Sequence, residues 1–432
     1  MKIVTSFEQA SKLFSRRSSG LAPDSAEQEK VVRKIVEDVR ARGDAAVFDY
    51  TEKFDGVRLS RLEVPQREIN AAFRKIDAGL LSSLRLAAAR IAAFHEKQKK
   101  TLVRDSERGN LGWVMRPLES AGVYVPGGTA PLPSSLLMTV IPARVAGVKE
   151  IVVMTPPGKS GSVSPVILAA ARLAGVDRVF SAGGAQAIAA LAYGTESVPR
   201  VDKIFGPGNV YVTLAKKTVY GAAGIDGLYG PSEVIIIADA AADAGYIAAD
   251  LLAQAEHGNL PSAILITNSR KLANAVNREI EEQMKTLERR NTIEEALEKR
   301  GMIIIVDTID KGLELANLYA PEHLCLVVKN AANYVKKVKN AGCLFIGEDS
   351  AEVLVDYVAG PSHILPTGGT ARFGSPLNVT DFIKLITVVD MDKKDVRRLG
   401  RAASVIARAE GLGAHARAAE KRLNDTVQGG RR

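Results

Sequence analysis

The chain has 432 residues, of which 46% are hydrophobic and 25% charged, a length and composition that predict two or three globular domains. Its net charge of +9 comes from dispersed basic residues, and aromatic residues make up only 5%, which disfavours a nucleic-acid-binding surface. No apolar stretch approaches the ~18 residues that cross a membrane, no signal-peptide core opens the chain, and the two cysteines lie in apolar runs, so we expect a cytoplasmic protein.

Two kinds of sequence pattern follow one another. Residues 25–100 are charged, rich in alanine and helical in period. From about residue 110, apolar runs that predict strands (151–154, 178–181, 203–205, 234–238, 263–267, 302–306, 324–328 and 343–346) alternate with predicted helices (163–174, 185–193, 210–220 and 244–255). This alternation is typical of parallel sheets with helices on both faces. Since the strands are too many for one small domain, we expect two Rossmann-like α/β domains after an N-terminal helical region.

The C-terminal part of the chain predicts a strand at 385–389 and two helices at 395–409 and 415–423. A helical tail of this size is too thin to bury a core of its own. It must therefore pack on something else, and a second subunit is one candidate.

Glycine-rich segments occur at the ends of several predicted strands. Residues 122–128, 183–186 and 206–209 are examples, and the last two each follow a strand and open a helix. Such a turn points backbone N–H groups at an anion such as a pyrophosphate. One such turn is more often a plain connection. Several at successive strands make a nucleotide site as plausible as a set of plain connecting turns.

The chain contains only five histidines, and His257, His323, His363 and His415 each have a carboxylate or an amide close in sequence. Histidine is the usual acid or base at neutral pH and a common zinc ligand, so this pattern predicts a metal site or a proton-transfer site. Spacing alone equally allows four unrelated histidines. The fifth, His95, lies in a charged helical run, and we expect it to be solvated.

One predicted helix runs to His257 and places Asp250, Gln254 and His257 on a single stripe, with Gly258 ending it. Glutamine and histidine three residues apart can both face one ion. Taken alone, however, this segment is more simply interpreted as the end of a surface helix.

A carboxylate and an imidazole stand side by side at Glu322 and His323, directly before an apolar strand. They can divide two proton transfers between them, or they can be an ordinary polar pair in a loop. Further along, Asp356 offers a charged oxygen ligand. A set of one glutamine, one aspartate and two histidines would hold a borderline metal such as zinc.

Together these residues resemble the histidinol dehydrogenase family. The matching segments occur in the family's order and cover nearly all of the chain beyond the N-terminal helices: 122–128, 183–191, 206–212, 230–233, 254–258, 320–324, 356–372 and 410–415. The resemblance implies a cytoplasmic homodimer with one zinc ion per subunit. It would oxidise L-histidinol to L-histidine through the aldehyde, using two NAD for each substrate molecule.

The resemblance also implies roles for individual residues. Glu322 would activate water, and His323 would serve the alcohol and hydrate oxygens. NAD would contact Tyr124, Gln186 and Asn209. Zinc would be held by Gln254, His257, Asp356 and His415, and these four would form the substrate site together with Ser232, His323 and Glu410. On the family's pattern, Glu410 and His415 belong to a tail that reaches the other subunit.

The domain boundaries that we predict combine the sequence pattern with this resemblance. They are an N-terminal arm (1–20), a first α/β domain with the zinc and substrate site (21–123 with 233–377), a second with the NAD contacts (124–232), and a tail that packs on the partner subunit (378–432). Three residues, Val355, Ser362 and Tyr229, differ from those usual in the family. The alternative is therefore a relative on this scaffold that oxidises another small alcohol, such as a sulfonated propanediol. A basic zinc-containing nucleic-acid-binding protein is a remote alternative, since the finger spacing is missing.

Overall fold

The computed structural model describes residues 1–15, 25–105, 111–127, 131–258 and 260–428. The chain divides into two compact units. The larger unit comprises Met1–Lys99 and Leu118–Phe382, and the smaller unit comprises Lys100–Pro117 and Ile383–Arg432. Within the described ranges, no helix combines the length and the apolar character needed to span a membrane.

The strands are β1 (Lys2–Val4), β2 (Leu111–Pro117), β3 (Ser120–Tyr124), β4 (Glu150–Thr155), β5 (Arg178–Ser181), β6 (Lys203–Phe205), β7 (Gly224–Ile225), β8 (Glu233–Ala238), β9 (Ser262–Thr267), β10 (Met302–Ile305), β11 (His323–Val327), β12 (Cys343–Ile346) and β13 (Ile383–Val389). The α-helices are α1 (Phe7–Ser15), α2 (Ser25–Arg42), α3 (Asp44–Asp55), α4 (Gln66–Lys75), α5 (Ala78–Leu102), α6 (Pro133–Ala146), α7 (Pro165–Ala174), α8 (Gly184–Tyr193), α9 (Val210–Val219), α10 (Ala244–Ala255), α11 (Arg270–Gln283), α12 (Arg290–Arg300), α13 (Ile309–Tyr319), α14 (Glu352–Tyr357), α15 (Lys393–Ala409) and α16 (Gly413–Gln428).

A six-stranded parallel sheet has the order β1-β10-β9-β8-β11-β12. Its central strand β8 is buried along its whole length, because helices cover both faces. Alternate residues serve the two faces: Val234 and Ile236 pack with α10, α11 and α12, whereas Ile235 and Ile237 pack with α1 and α13. The predicted α/β class with parallel sheets is confirmed.

A five-stranded parallel sheet has the order β5-β4-β3-β6-β7. From β3, the chain builds outward through β4 to β5 and then returns to place β6 on the other side of β3. The order therefore reverses between β3 and β6. In open α/β sheets, ligands bind at the carboxyl ends of the strands at such a reversal.

Helix α2 packs on the five-stranded sheet, with which the predicted domain boundaries do not group it. Residues 21–123 were assigned with 233–377, but Val32 and Ile35 of α2 share a core with Val152, Phe180 and Ile188 of the five-stranded sheet and α8. The apolar stripe of α2 is complementary to α8 and α9, and this packing has no signal in the local sequence. In the predicted arm (1–20), β1 is an edge strand of the six-stranded sheet, while residues 16–24 lie outside the described ranges.

Two predicted local features are also different. Residues 122–124 belong to β3 and not to a turn. A Cβ on Gly122 would come within 3.0 Å of Val201 and Leu191, so the glycine lets α8 approach the strand. Gly128, at the end of that segment, lies outside the described residues. His95 is buried and not solvated, because it continues the inward stripe of α5, with its Nδ1 2.9 Å from the Ile91 carbonyl oxygen.

The smaller unit consists of an antiparallel ladder and a helical hairpin. Strand β13 pairs with β2, and α15 packs along α16. Helix α15 begins with a capping box in which the Asp392 and Asp395 side chains each accept from the other's backbone N–H. Several large apolar side chains of the smaller unit are exposed: Leu385 and Val389 on β13, and Val405 and Ile406 on α15. A group of exposed large apolar side chains in one small unit is typical of a surface that binds another protein.

Candidate active site

A cavity of about 260 Å³ lies in the larger unit where the two sheets present opposite ends of their strands. Pro126 follows β3, and Pro207 and Gly208 follow β6, so one wall is the strand-order reversal of the five-stranded sheet. The other wall comes from the amino ends of the neighbouring strands β8 and β11, where Ser232 and Glu322 stand. The cavity therefore combines a dinucleotide-type edge with a cluster of ionisable groups.

The cluster lies at the amino end of its strands because of the direction of α10. This helix follows β8 and runs back antiparallel to it, so its last turn reaches the amino edge of the sheet. Gln254 lies in that turn. His257 lies in the bend after the helix, which ends at Ala255 as the apolar pattern over 244–255 predicts, and not at His257 as the stripe from Asp250 suggested.

The two predicted catalytic side chains, Glu322 and His323, are both held by the backbone of Glu233. The Glu233 N–H donates to Glu322 Oε2 at 2.9 Å, and His323 Nδ1 lies 3.2 Å from the Glu233 carbonyl oxygen. A carbonyl oxygen can only accept, so Nδ1 carries the proton and Nε2 carries the lone pair. Among the residues that the structure describes, His323 Nε2 has no hydrogen-bond partner. His323 lines the cavity and is thus arranged to accept a proton there.

Burial keeps this imidazole neutral. Burial, with a smaller contribution from the nearby imidazoles of His257 and His363, lowers the pKa of His323 to about 3. The ring is therefore uncharged at neutral pH.

Glu352 was missed at the level of sequence. Its Oε1 lies 3.3 Å from His323 Nδ1, and it is buried in the cavity wall. Burial raises the pKa of Glu352 well above its usual range, with a further contribution from the Asp356 charge. Its position four residues before Asp356 on α14 was the one available signal, since residues spaced by four share a helix face.

His363, to which no role was assigned, also lines the cavity. Its Nδ1 donates to the Asp356 carbonyl oxygen at 2.8 Å, and its Nε2 accepts from Ser135 Oγ at 3.1 Å. Both ring nitrogens are thus engaged, and burial lowers the pKa of His363 to about 4. The residue fixes the segment that presents Asp356, whose own pKa is raised to about 6 by burial.

Three of the predicted metal ligands lie in this region. His257 and Asp356 line the same cavity, and Gln254 is buried with neither amide atom hydrogen-bonded to any described residue. A buried, unpartnered amide is costly unless something binds it, so these donors fit a cation. In the described part of the chain, no three His, Cys, Asp or Glu side chains are grouped as a metal site. Of the four predicted ligands, the larger unit contributes only two acidic or imidazole side chains, His257 and Asp356, together with the Gln254 amide.

The predicted NAD residues lie along the carboxyl edge of the five-stranded sheet. Tyr124 ends β3, and its hydroxyl accepts from the Gly184 N–H at 3.2 Å. Gln186 is buried in the first turn of α8, and its Oε1 lacks a hydrogen-bond partner among the residues with described positions. Asn209 caps α9 by accepting from the N–H groups of Tyr211 and Val212.

Glu410 and His415 lie in the smaller unit, where both are exposed. Glu410 is the C-cap of α15, and His415 lies in the first turn of α16. The two residues therefore flank the bend between these helices.

Comparison with known proteins gives a consistent result. The profile described as histidinol dehydrogenase matches residues 20–423. A histidinol dehydrogenase of Dehalococcoides mccartyi (strain CBDB1) is 53% identical, with 98% of this chain and 100% of the relative covered. One from Deinococcus radiodurans is 53% identical over 91% of both chains. The crystal structure of histidinol dehydrogenase from Elizabethkingia anophelis superposes with a TM-score of 0.92 at 39% identity, covering 98% of each chain.

Proposed function

We propose, for a chain that belongs to the histidinol dehydrogenase family, an NAD-dependent oxidation of L-histidinol to L-histidine through L-histidinaldehyde, the last steps of histidine biosynthesis. Each substrate molecule would reduce two NAD in a four-electron oxidation. Cytoplasmic residence is part of the proposal, since Cys325 and Cys343 are free thiols.

The observation that best supports this function is the pairing of Glu322 with a neutral His323 at the cavity. Oxidation of an alcohol needs a base to take the hydroxyl proton as the hydride leaves the carbon. His323 Nε2 has the free lone pair for that task, and the Glu233 carbonyl fixes its tautomer. The edge at β3 and β6, where NAD would bind, lines the same cavity.

The second oxidation needs a different proton transfer. An aldehyde has no hydroxyl group, so water must first add to its carbonyl carbon. Glu322 would accept a proton from that water, since its carboxylate is positioned by the Glu233 N–H beside the imidazole. His323 would then take a proton from the resulting hydrate as the second hydride leaves, which gives the carboxylic acid.

A zinc ion held by Gln254, His257, Asp356 and His415 would bind the substrate's amino and imidazole groups and keep the aldehyde in place between the two oxidations. The unpartnered Gln254 amide and the shared position of His257 and Asp356 support this assignment. Ser232, which lines the cavity, would contact the substrate with these residues.

The fourth ligand suggests how the protein assembles. His415 and Glu410 flank the bend of an exposed helical hairpin in the smaller unit, and that unit exposes a large apolar surface. In our proposal two chains form a homodimer, and each tail supplies Glu410 and His415 to the active site of the other chain.

The proposed substrate is tested by following NADH absorbance with zinc-loaded protein. We expect turnover with L-histidinol and little with a sulfonated propanediol. Turnover of the sulfonated diol alone would favour the alternative dehydrogenase. If neither compound is oxidised while the protein is folded and retains zinc, the proposed function is wrong.

A further inference from the structure

A buried ion pair stands behind the cavity wall. The Lys216 and Asp226 side chains form a salt bridge and are only 2% and 1% exposed. Lys216 Nζ also donates to the Gly206 carbonyl oxygen at 3.0 Å. Neither residue belongs to the proposed catalytic, metal-binding or NAD-binding residues.

The pair binds both backbone polar groups of one residue, the N–H and the carbonyl oxygen of Gly206. Asp226 Oδ2 accepts from the Gly206 N–H at 2.7 Å, while Lys216 takes the carbonyl of the same residue. Gly206 opens residues 206–209, here called the cofactor turn, which follow β6 at the reversal of strand order. Within this turn, Pro207 and Gly208 line the cavity, and Asn209 caps α9.

The same pair also reaches the substrate side. Asp226 Oδ1 accepts from the Gly227 N–H at 2.8 Å, at the start of the segment that leads to Ser232. Lys216 Nζ lies 4.7 Å from the centre of the Tyr229 ring, and the Tyr229 carbonyl oxygen accepts from Thr213 Oγ1 at 3.0 Å. Tyr229 and Ser232, here called the substrate wall, line the same cavity as Pro207 and Gly208 of the cofactor turn.

Stabilisation of the fold alone does not explain a buried ion pair of this kind. Desolvating two charges costs about as much as their attraction returns, so buried ion pairs contribute little to folding compared with apolar residues of similar size. They do fix directions, because each donor and acceptor must be satisfied. Here the satisfied groups are backbone atoms of the cofactor turn and of the segment leading into the substrate wall.

We propose that Lys216 and Asp226 are positioning residues that set the separation between the cofactor turn and the substrate wall. Within the proposed function, on which this inference rests, Lys216 and Asp226 would hold the nicotinamide ring that accepts the hydride and the substrate carbon at reacting distance. Small displacements at that distance cost large factors in rate.

The test uses the double variant Lys216→Met/Asp226→Asn in the full-length protein, because removing both charges leaves neither buried alone. Lys217→Met is the matched control: the next residue of α9 pairs with Glu29 at the exposed surface, at 2.9 Å. The measurements are the NADH dissociation constant by fluorescence titration, KM for NAD, kcat and the melting temperature. We expect the double variant to bind NADH about tenfold more weakly and to lose about 100-fold in kcat, with the control unchanged.

The outcomes separate this inference from the proposed function. If the unmodified protein binds no NADH, the proposed function fails. If the unmodified protein binds NADH and the double variant matches it within about twofold in NADH affinity and kcat, with only its melting temperature lowered, the pair is merely structural and the inference is overturned. Should the double variant not fold, Lys216→Arg, which keeps both charges but moves the cation, is judged by the same two criteria.

Discussion

At the scale of single residues, the chemistry of the site depends on one imidazole that burial keeps neutral and one backbone carbonyl that fixes its tautomer. His323 has its Nδ1 proton committed to Glu233, so only Nε2 can act as a base. Glu322 is anchored by the N–H of the same residue. The two groups are therefore positioned together, which fits the distinct proton-transfer roles that we propose for them.

Replacing Glu322 with glutamine should separate the two oxidations. Glutamine keeps an oxygen for the Glu233 N–H but cannot take a proton from water. We expect oxidation of added L-histidinaldehyde to fall by about 100-fold, with a smaller effect on oxidation of the alcohol and with unchanged zinc content. Equal losses in the two half-reactions, measured as NADH formation, would show that Glu322 is not the water-activating base.

Replacing His323 with asparagine should make the metal-free protein less sensitive to mild acid. The pKa of His323 is lowered from 6.5 to about 3 in the folded protein, so its contribution to stability is present above pH 6.5 and is lost as the pH falls through 6.5 toward 3. Between pH 7 and pH 5, the unmodified protein should lose about 2 kcal/mol more unfolding free energy than His323→Asn. Urea unfolding at both pH values measures this, and parallel losses would refute the buried neutral imidazole.

Sequence could identify the residues of the site better than their surroundings. The adjacency of Glu322 and His323 predicts proton transfer, because neighbouring residues stay together in any fold. Glu352 and His363 reach the same cavity from a later segment of the chain, and only tertiary packing brings them there. His95 was predicted to be solvated because its sequence neighbours are charged. It is buried because it lies on the inward face of α5, one helical turn after Ile91.

At the scale of elements, the site joins opposite ends of two parallel sheets. The carboxyl ends of β3 and β6 offer a dinucleotide edge, while the amino ends of β8 and β11 offer the bases. The turn after β6 must approach β3 closely to form that edge. Gly206 makes this possible, with a φ of +107° and its backbone against the Tyr124 carbonyl.

Replacing Gly206 with alanine should displace this turn. The added Cβ would lie 2.1 Å from the Tyr124 carbonyl oxygen, so backbone must move. Gly221→Ala is the matched control, since its φ of +105° is similar and nothing lies within 4 Å. We expect the control to lose about 1–2 kcal/mol of stability from backbone strain alone. Gly206→Ala should lose more and should also bind NADH at least about tenfold more weakly. Equal effects of the two substitutions on stability and NADH affinity would contradict this account of the turn.

Several elements were predictable because their patterns are local. The strands expected at 178–181, 203–205 and 343–346 and the helix at 244–255 coincide with β5, β6, β12 and α10. Each is an apolar run bounded by polar or glycine-containing turns. The order of strands in the two sheets could not be predicted in this way, because it depends on contacts between segments that are distant in the sequence. The packing of α2 on the five-stranded sheet was missed for the same reason.

At the scale of the whole molecule, we propose that each active site is shared between two chains. The larger unit supplies Gln254, His257 and Asp356, and our ligand set needs His415 from a partner's tail. The exposed apolar residues of the smaller unit, such as Val405 and Ile406, fit a role in dimer formation.

Shared active sites predict complementation between two inactive variants. His415→Ala should lose zinc, and Glu322→Gln should lose aldehyde oxidation. In a mixed dimer, one active site carries both defects and the other carries neither, so random pairing should restore histidine formation to about a quarter of the unmodified level. Co-expression followed by an assay of histidine formation measures this. Activity no greater than the sum of the separate variants would place His415 in its own subunit's site or outside the site.

The most direct test of the two-step oxidation is the number of NADH molecules formed per substrate molecule. A limiting, known amount of L-histidinol is incubated to completion with zinc-loaded protein and excess NAD, and NADH absorbance is compared with the histidine recovered. We predict two NADH and one L-histidine for each L-histidinol consumed. One NADH per substrate, with free aldehyde as the product, would contradict the assignment of Glu322 and His323 to two successive oxidations in one cavity.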